Sequence, residues 1–400
     1  MYIHRDIEPI LIKSLKSFPV VALTGPRQTG KSTLLRTLFR DGYQYISFDD
    51  PLVRDRAVDD PVLFISNLEG KVILDEIQYV PGLLPYLKMK VDEERRSKGR
   101  FILTGSQQFN LMKDISETLA GRIALFTLLP FSCSETRKIE GEKASPVRTG
   151  DFFVYASLNG LFPEICVNKE MDARLWYGSY LQTYLERDIR TLYNPGNLRD
   201  FTRFIKLLAS RCSQVLNLST YARDIGVSVN TIKSWLSVLE ASQLIYILEP
   251  YYKNPGKRVT KSPKVYWNDL GLVCYLTGIY TGEHLFNGPM AGALFENLVI
   301  QETVKHFFNK GHRPNLYYMK VEGAFEIDLL MEREDSLLPF EIKLTKSPNP
   351  GMATGLNRFM EAFPGLDVRK GTIICLADST HPLTKTVDAT NLMSYINMLG

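Results

Sequence analysis

The chain has 400 residues, 44% of them hydrophobic and 23% charged, with a formal net charge of +4. These are ordinary globular values with room for roughly two to four domains, and they exclude wholesale disorder. No window approaches about eighteen uninterrupted apolar residues, so neither a membrane span nor a signal peptide is expected, and five scattered cysteines (Cys133, Cys166, Cys212, Cys274, Cys375), never spaced C-x-x-C, indicate buried thiols in a reducing cytoplasm.

Residues 19–33, "PVVALTGPRQTGKST", read as a short apolar strand running into Gly25-x-x-x-x-Gly30-Lys31-Ser32. The glycines permit a tight loop whose backbone N–H groups converge on phosphates. Gly25, Pro26, Arg27, Gln28, Thr29, Gly30, Lys31, Ser32 and Thr33 are therefore the expected ATP-binding segment. Lys31 reaches the β/γ oxygens, Ser32 offers a hydroxyl to Mg2+, and the following helix "STLLRTLF" presents its positive end. In "FDDP" (48–51), Asp50 is expected to cap a helix with Pro51 in its first turn.

"KVILDEIQ" is a buried-type strand ending at Asp75-Glu76. Asp75 is placed to hold hydrated Mg2+, and Glu76 to orient or deprotonate the attacking water. "RFILTG" leads to Ser106, a polar side chain able to sense the γ-phosphate, with Thr104 as second choice. Arg122 precedes a further apolar strand and is a candidate to reach a neighbour's γ-phosphate. Strands at 19–24, 44–48, 71–75, 100–104 and 123–129 alternate with helical stretches, so residues 1–136 should form a three-layer α/β domain with a mostly parallel sheet. Its ligand belongs at the strands' carboxyl ends.

Residues 137–200 read as a linker and a helical segment. "RKIEGEKASPVRTGD" (137–151) is a loop. In 173–193, Trp176, Tyr180, Tyr184 and Leu185 recur at helical spacing as packing residues, and Glu186, Arg187, Asp188 and Arg190 form a solvated face. The stretch 201–270 carries ten Lys/Arg against four Asp/Glu, a net +6, whereas 271–400 is net −3; a nucleic acid partner would dock in the middle. "LNLSTYARDIGVSVNTIKSWLSVLEASQLIYILEP" has the spacing of a helix-turn-helix, with Ser219 and Ser228 as caps and Gly226 at the turn. The strands "LIYILEPYY" and "KVYWND", joined through Lys253, Lys257, Arg258 and Lys261, complete a winged helix with a basic wing. Asn230, Thr231, Lys233 and Ser234 would face a DNA groove. Such modules also serve as protein contacts.

Residues 271–400 place Glu296 on the helix "AGALFENLVIQETVKHFF", Asp328 at the end of a hairpin, and Glu341-x-Lys343 on the next strand. A PD-(D/E)xK nuclease uses such carboxylates to hold divalent ions and the lysine to orient water. The E-x-K pattern alone is common (Glu69-Gly-Lys71 also matches), and no proline precedes Asp328. A working nuclease centre and a buried strand with a salt-bridged pair both remain open.

Taken together, "TGPRQTGKSTLL", "FDDP", "LDEIQ", "LTGSQ", "LAGRIALFTLLPFS", "GLFPEI", "YLERDIRTLY", "GKRVTKSPKVYWNDLGL" and "FEIKL" make the chain resemble bacterial and archaeal AAA-superfamily ATP-binding proteins with a C-terminal domain of unknown function. The resemblance covers nearly the full length. It implies ATP binding by Gly25 to Thr33 with Asp75-Glu76, and a winged helix joined to an α/β restriction-endonuclease-like domain. AAA-type ATPases place a trans-acting arginine where Arg122 stands, which would require a homo-oligomer. The expectation is a cytoplasmic, Mg2+-dependent ATPase controlling its C-terminal half. The alternatives are an ATP-gated DNA nuclease using Glu296, Asp328, Glu341 and Lys343, and a nucleotide-stabilised protein-interaction scaffold.

Overall fold

The computed structural model describes residues 2–94, 96–105, 118–140, 148–185, 198–251 and 262–400. The expectations for Ser106, residues 141–147 of the 137–151 loop, Glu186, Arg187, Asp188, Arg190 and the wing cations Lys253, Lys257, Arg258 and Lys261 concern residues outside these ranges; so do those for the side chains of Tyr184 and Leu185. At both ends the expected loop is helical instead: residues 137–140 finish the helix Cys133–Glu140 and residues 149–151 open the helix Thr149–Leu158.

Five strands form the first sheet: β1 Val20–Thr24, β2 Gln44–Ser47, β3 Val72–Asp75, β4 Phe101–Gly105 and β5 Ile123–Thr127. Their order is β2-β3-β4-β1-β5 and every pairing is parallel. Successive side chains of a strand point to opposite faces, and the apolar runs divide accordingly. Val20, Ala22, Leu74 and Leu103 join Phe48, Leu84 and Leu87 in one core. Val21, Leu23, Ile73 and Ile102 join Ile7, Leu11, Leu34 and Leu35 in another. Both faces are covered, which is why these strands read as unbroken apolar runs rather than alternating ones. Asp50 caps the helix Pro51–Asp59, accepting from the Leu52 N–H.

The stretch expected as a helix-turn-helix forms the two helices Leu218–Ile225 and Val229–Ala241, with Gly226 left-handed between them. Ser228 caps the second helix, but the first begins two residues earlier than expected and is capped by Asn217, not Ser219. Asn217 wins because its side chain reaches the Thr220 N–H, two positions inside the first turn.

The remaining strands are β6 Ile245–Pro250, β7 Lys264–Trp267, β8 Leu316–Val321, β9 Phe325–Arg333, β10 Ser336–Ile342, β11 Asp367–Val368, β12 Gly371–Cys375, β13 His381–Pro382 and β14 Val387–Asn391. They form one mixed sheet in the order β13-β14-β12-β10-β9-β8-β6-β7, with β11 beside β10. Because β6 pairs with β8, residues 201–270 and 271–400 share a sheet, and they share a core as well: Trp235 and Leu239 belong to the same cluster as Phe295, Leu298 and Phe340. Asp328 lies in the middle of β9 rather than at the end of a hairpin, since β9 runs five residues past it to pair with β10. All five cysteines are buried and free. Among the described residues no helix is long and apolar enough to cross a membrane.

The helix Ala291–Asn309 runs through this second core, and buried on it are the polar residues Asn297, Gln301, Glu302, Thr303 and Lys305. Buried polar groups need partners. Asn297 supplies an amide to the backbone of Trp267, accepting from its N–H at 2.7 Å and donating to its carbonyl at 2.8 Å. Truncation would leave two buried backbone groups unpaired at about 1–3 kcal/mol each. Asn297→Ala is therefore expected to lower the unfolding free energy by about 2–4 kcal/mol in urea titration; an unchanged midpoint would contradict this role.

Candidate nucleotide site

The loop between β1 and the helix Lys31–Leu38 is built from residues whose backbone turns few side chains allow. Gly25 has φ +140°, and a Cβ there would lie 2.1 Å from the Leu128 carbonyl oxygen, so only glycine fits. Gln28 and Gly30 are also at positive φ, 65° and 86°. The loop packs against "GLFPEI", where Pro163 comes within contact distance of the Gly30 position.

Lys31 is buried and arches back over the loop, donating to the carbonyls of Gly25 at 3.0 Å and Pro26 at 2.8 Å. The Thr29 hydroxyl donates to Pro26 O, fixing the loop's crest. The Ser32 hydroxyl lies 3.0 and 3.2 Å from the two carboxylate oxygens of Asp75. Two motifs 43 residues apart thus meet across the carboxyl end of the sheet, with β4 between the β1 and β3 that carry them. Asp75 also accepts from the phenol of Tyr45 and the hydroxyl of Thr104. Burial, then the hydrogen bond to Asp75, pushes the Tyr45 phenol up to about 12, so it remains a donor at neutral pH. A carboxylate beside a hydroxyl is the hard-oxygen donor set that suits Mg2+, which takes one or two carboxylates and completes its shell with phosphates and water.

Glu76 sits in the left-handed region at φ 58°, an uncommon conformation for a residue with a side chain. Its N–H donates to the Thr104 hydroxyl at 3.1 Å, and the Gln78 amide donates to its carboxylate. Thr104, ranked behind Ser106 from the sequence, is thus the described residue that joins Asp75 and Glu76. Tyr45 carried no sequence signal. Its role follows only from the β2–β3 pairing and from the Arg36 guanidinium stacked 4.1 Å over its ring.

Arg122 lies elsewhere. Its carbonyl accepts from Val20 N, at the start of β1, whereas the loop leaves the other end, about 13 Å along the strand. Its guanidinium grips Asp92 through two bonds of 2.6 and 3.0 Å.

Behind the loop runs a buried polar seam. Arg5 donates to Thr29 O at 2.8 Å, to Leu129 O at 2.7 Å and to both carboxylate oxygens of Glu135. Glu135 also accepts from Asp6 N and Ser132 N, holding the start of the helix Cys133–Glu140. There the Cys133 N–H donates to Glu302 at 2.7 Å, and Lys305 donates to Phe131 O and to Glu302, each at 2.9 Å. Both partners stand on the central helix of the second half.

The four residues named for a nuclease centre do come together. Lys343 pairs with Glu341 at 2.5 Å and approaches Asp328 at 3.8 Å. Glu296 faces the same cluster from the central helix. Two further residues, unforeseen from the sequence, lie among them. Lys264 contacts Glu296 at 3.1 Å, Glu326 at 2.9 Å and Asp328 at 4.0 Å. Burial, reinforced by Asp328 and opposed by Lys264, pushes Glu296 up to about 7; burial, reinforced by Asp328 and opposed by Lys343, does the same to Glu341.

Three stretches of the chain match family models. Residues 17–137 match a family model described as AAA domain. Residues 151–283 match a Domain of unknown function (DUF8612), and residues 291–395 a Domain of unknown function (DUF4143). The chain is 31% identical over 390 residues to the uncharacterized protein Rv2008c of Mycobacterium tuberculosis, and equally to Mb2031c of Mycobacterium bovis, covering 96% of this chain and 83% of each relative. A Walker-type ATPase of Pyrococcus abyssi is similar at 15% identity over 68% of this chain and 94% of its own, with a TM-score of 0.47. The RuvB Holliday junction branch migration motor of Thermotoga maritima is similar at 16% over 61% and 89%, with a TM-score of 0.31.

A raised carboxyl pKa carries a stability consequence. The folded state binds a proton at Glu341 that an unfolded chain releases near 4.5, so this group's contribution is greatest below about 4.5 and is lost as pH rises through about 7. Glu341→Gln, with Asp328, Glu326, Glu296 and Lys343 still facing the position, is expected to flatten the fall in unfolding free energy between these limits. Parallel pH profiles of the two proteins in urea would contradict the assignment.

Proposed function

The chain belongs to the family of these two mycobacterial proteins and carries an AAA-type P-loop ATPase domain in its first part, and on that premise we propose a Mg2+-dependent ATPase whose nucleotide state controls its C-terminal half. The observation that carries the catalytic part is the Ser32 hydroxyl within 3.2 Å of both Asp75 oxygens.

In this reading the N–H groups from Gly25 to Thr33 cradle the phosphates, and Lys31 exchanges the Gly25 and Pro26 carbonyls for β/γ oxygens. Ser32 and Asp75 hold the ion. Glu76 orients the attacking water, released from Gln78 as substrate arrives, and Thr104 couples its position to that of Asp75. Mg2+, held by Ser32 and Asp75, would supply neutralisation of the phosphate charge. Arg122 serves only if a second copy presents it, since within one chain it faces away and holds Asp92.

Control of the C-terminal half is supported by the seam from Thr29 through Arg5, Glu135 and Cys133 to Glu302 and Lys305. A loop that tightens on phosphate pulls on a fully satisfied buried network, which moves as a unit or not at all. A nucleic acid remains the target we favour, through the polar face of the helix Val229–Ala241. Asn230 and Lys233 are exposed on that face, while Ile232, Trp235 and Leu236 are buried beneath it. A pure scaffold would bind ATP with no turnover.

Lys31→Ala is expected to reduce ATP turnover by roughly two to three orders of magnitude in a phosphate-release assay; full turnover would end the ATPase reading. Coupling has its own test in hydrogen exchange of the helix Ala291–Asn309. A non-hydrolysable ATP analogue should alter exchange there in the natural chain and not in Glu302→Gln, with nucleotide affinity retained. The same response in both proteins, or none in either, removes the seam as the route.

A further inference from the structure

A nuclease built on Glu296, Asp328 and Glu341 needs a divalent cation with carboxylate oxygens converging on it at about 2.0–2.6 Å. The arrangement here does not fit that ion. Glu296 and Glu326 converge instead on the Lys264 ammonium, at 3.1 and 2.9 Å, with Asp328 at 4.0 Å. Asp328 is further occupied by the Ile342 N–H at 2.8 Å, and Glu296 by the Tyr266 phenol at 2.5 Å. Among the described residues no group of three or more His, Cys, Asp and Glu side chains is arranged to hold a metal.

The lysine is not a surface residue that has folded in. It is 3% exposed and opens β7; its backbone pairs with Leu248 of β6 and bridges to Val215. Its ring neighbour, Tyr318 of β8, lies 5.3 Å from the ammonium. Strand pairing on two sides therefore fixes where the side chain starts, and burial leaves it nowhere else to go. The compensation is also local. Lys264, Lys320 and Lys343 are distributed over Glu296, Glu326, Asp328 and Glu341, so little uncompensated negative charge remains to draw in a second cation.

We infer that the Lys264 ammonium is the resident cation of this carboxylate cluster, and that the C-terminal half carries the acid-and-lysine constellation without metal-dependent phosphodiester chemistry. A divalent cation entering beside that buried ammonium would be repelled by it and would find its carboxylates already engaged. Lys264 thereby also ties β7 to the helix that bears Glu296 and to the strand that bears Asp328.

The test uses the full chain carrying Asp75→Asn, so that the nucleotide site loses the carboxylate that faces Ser32. Mn2+ binding is followed by electron paramagnetic resonance. With Lys264 present, no Mn2+ bound in an Asp328-dependent manner is expected, and no cleavage of duplex DNA in Mg2+ or Mn2+. Lys264→Met, which keeps the length and removes the charge, is expected to gain about one Mn2+ per chain, abolished by adding Asp328→Asn. Asp328-dependent Mn2+ binding or DNA cleavage with Lys264 in place would overturn the inference, as would a folded Lys264→Met chain that binds none. Should Lys264→Met fail to fold, the Lys264-containing chain decides alone.

Discussion

A buried guanidinium organises this molecule. Removing a charge from water costs several kcal/mol unless it is paired and hydrogen-bonded, and Arg5 is met by a carboxylate and two carbonyls drawn from three separate places in the chain: the phosphate loop, the exit of β5 and the helix Cys133–Glu140. Three residues on, Glu8 turns back to accept from the Arg5 N–H, which sets the direction in which the guanidinium enters. The loop that would hold a triphosphate is therefore not a free-standing turn. It is buttressed from behind by the same network that holds the second half of the chain.

The front of the loop obeys a different constraint. The carboxylate of Asp75 receives three hydroxyl donors, from Ser32, Tyr45 and Thr104. Those contacts aim it before any ligand arrives, and preorganisation of that kind is worth more than contact made on demand. Glu76, one residue further, is held in a conformation that costs on the order of 1–3 kcal/mol. Strain maintained at the end of β3 is consistent with a side chain whose direction matters more than the stability of its turn.

The C-terminal acid cluster shows how a sequence pattern and its chemistry separate. Helix-Glu, strand-Asp and strand E-x-K survive as geometry: Glu296, Asp328, Glu341 and Lys343 do share one neighbourhood. The carboxylate charge a metal would neutralise there is already met by Lys264. Its position comes from β7, more than 30 residues before the central helix's glutamate and more than 60 before Asp328, so no local spacing announces it.

Much of this was legible in the residues themselves. Five strands, their parallel sheet, the loop, the carboxylate pair and the helix caps at Asp50 and Ser228 each depend on neighbours along the chain: runs of β-branched and aliphatic residues, glycines at turns, a hydroxyl three residues before an amide it can reach. Contacts that join distant segments were not legible. Tyr45 on Asp75, Arg5 on Thr29, Glu302 on Cys133 and Lys264 among the carboxylates arise only once strands pair in a given order and a helix is sunk between two halves. Local preference follows from backbone sterics and short-range hydrogen bonds, which a sequence states directly. Burial follows from which surfaces end up facing one another, and it is burial that turned an ordinary lysine and an ordinary arginine into the two cations around which this protein is arranged.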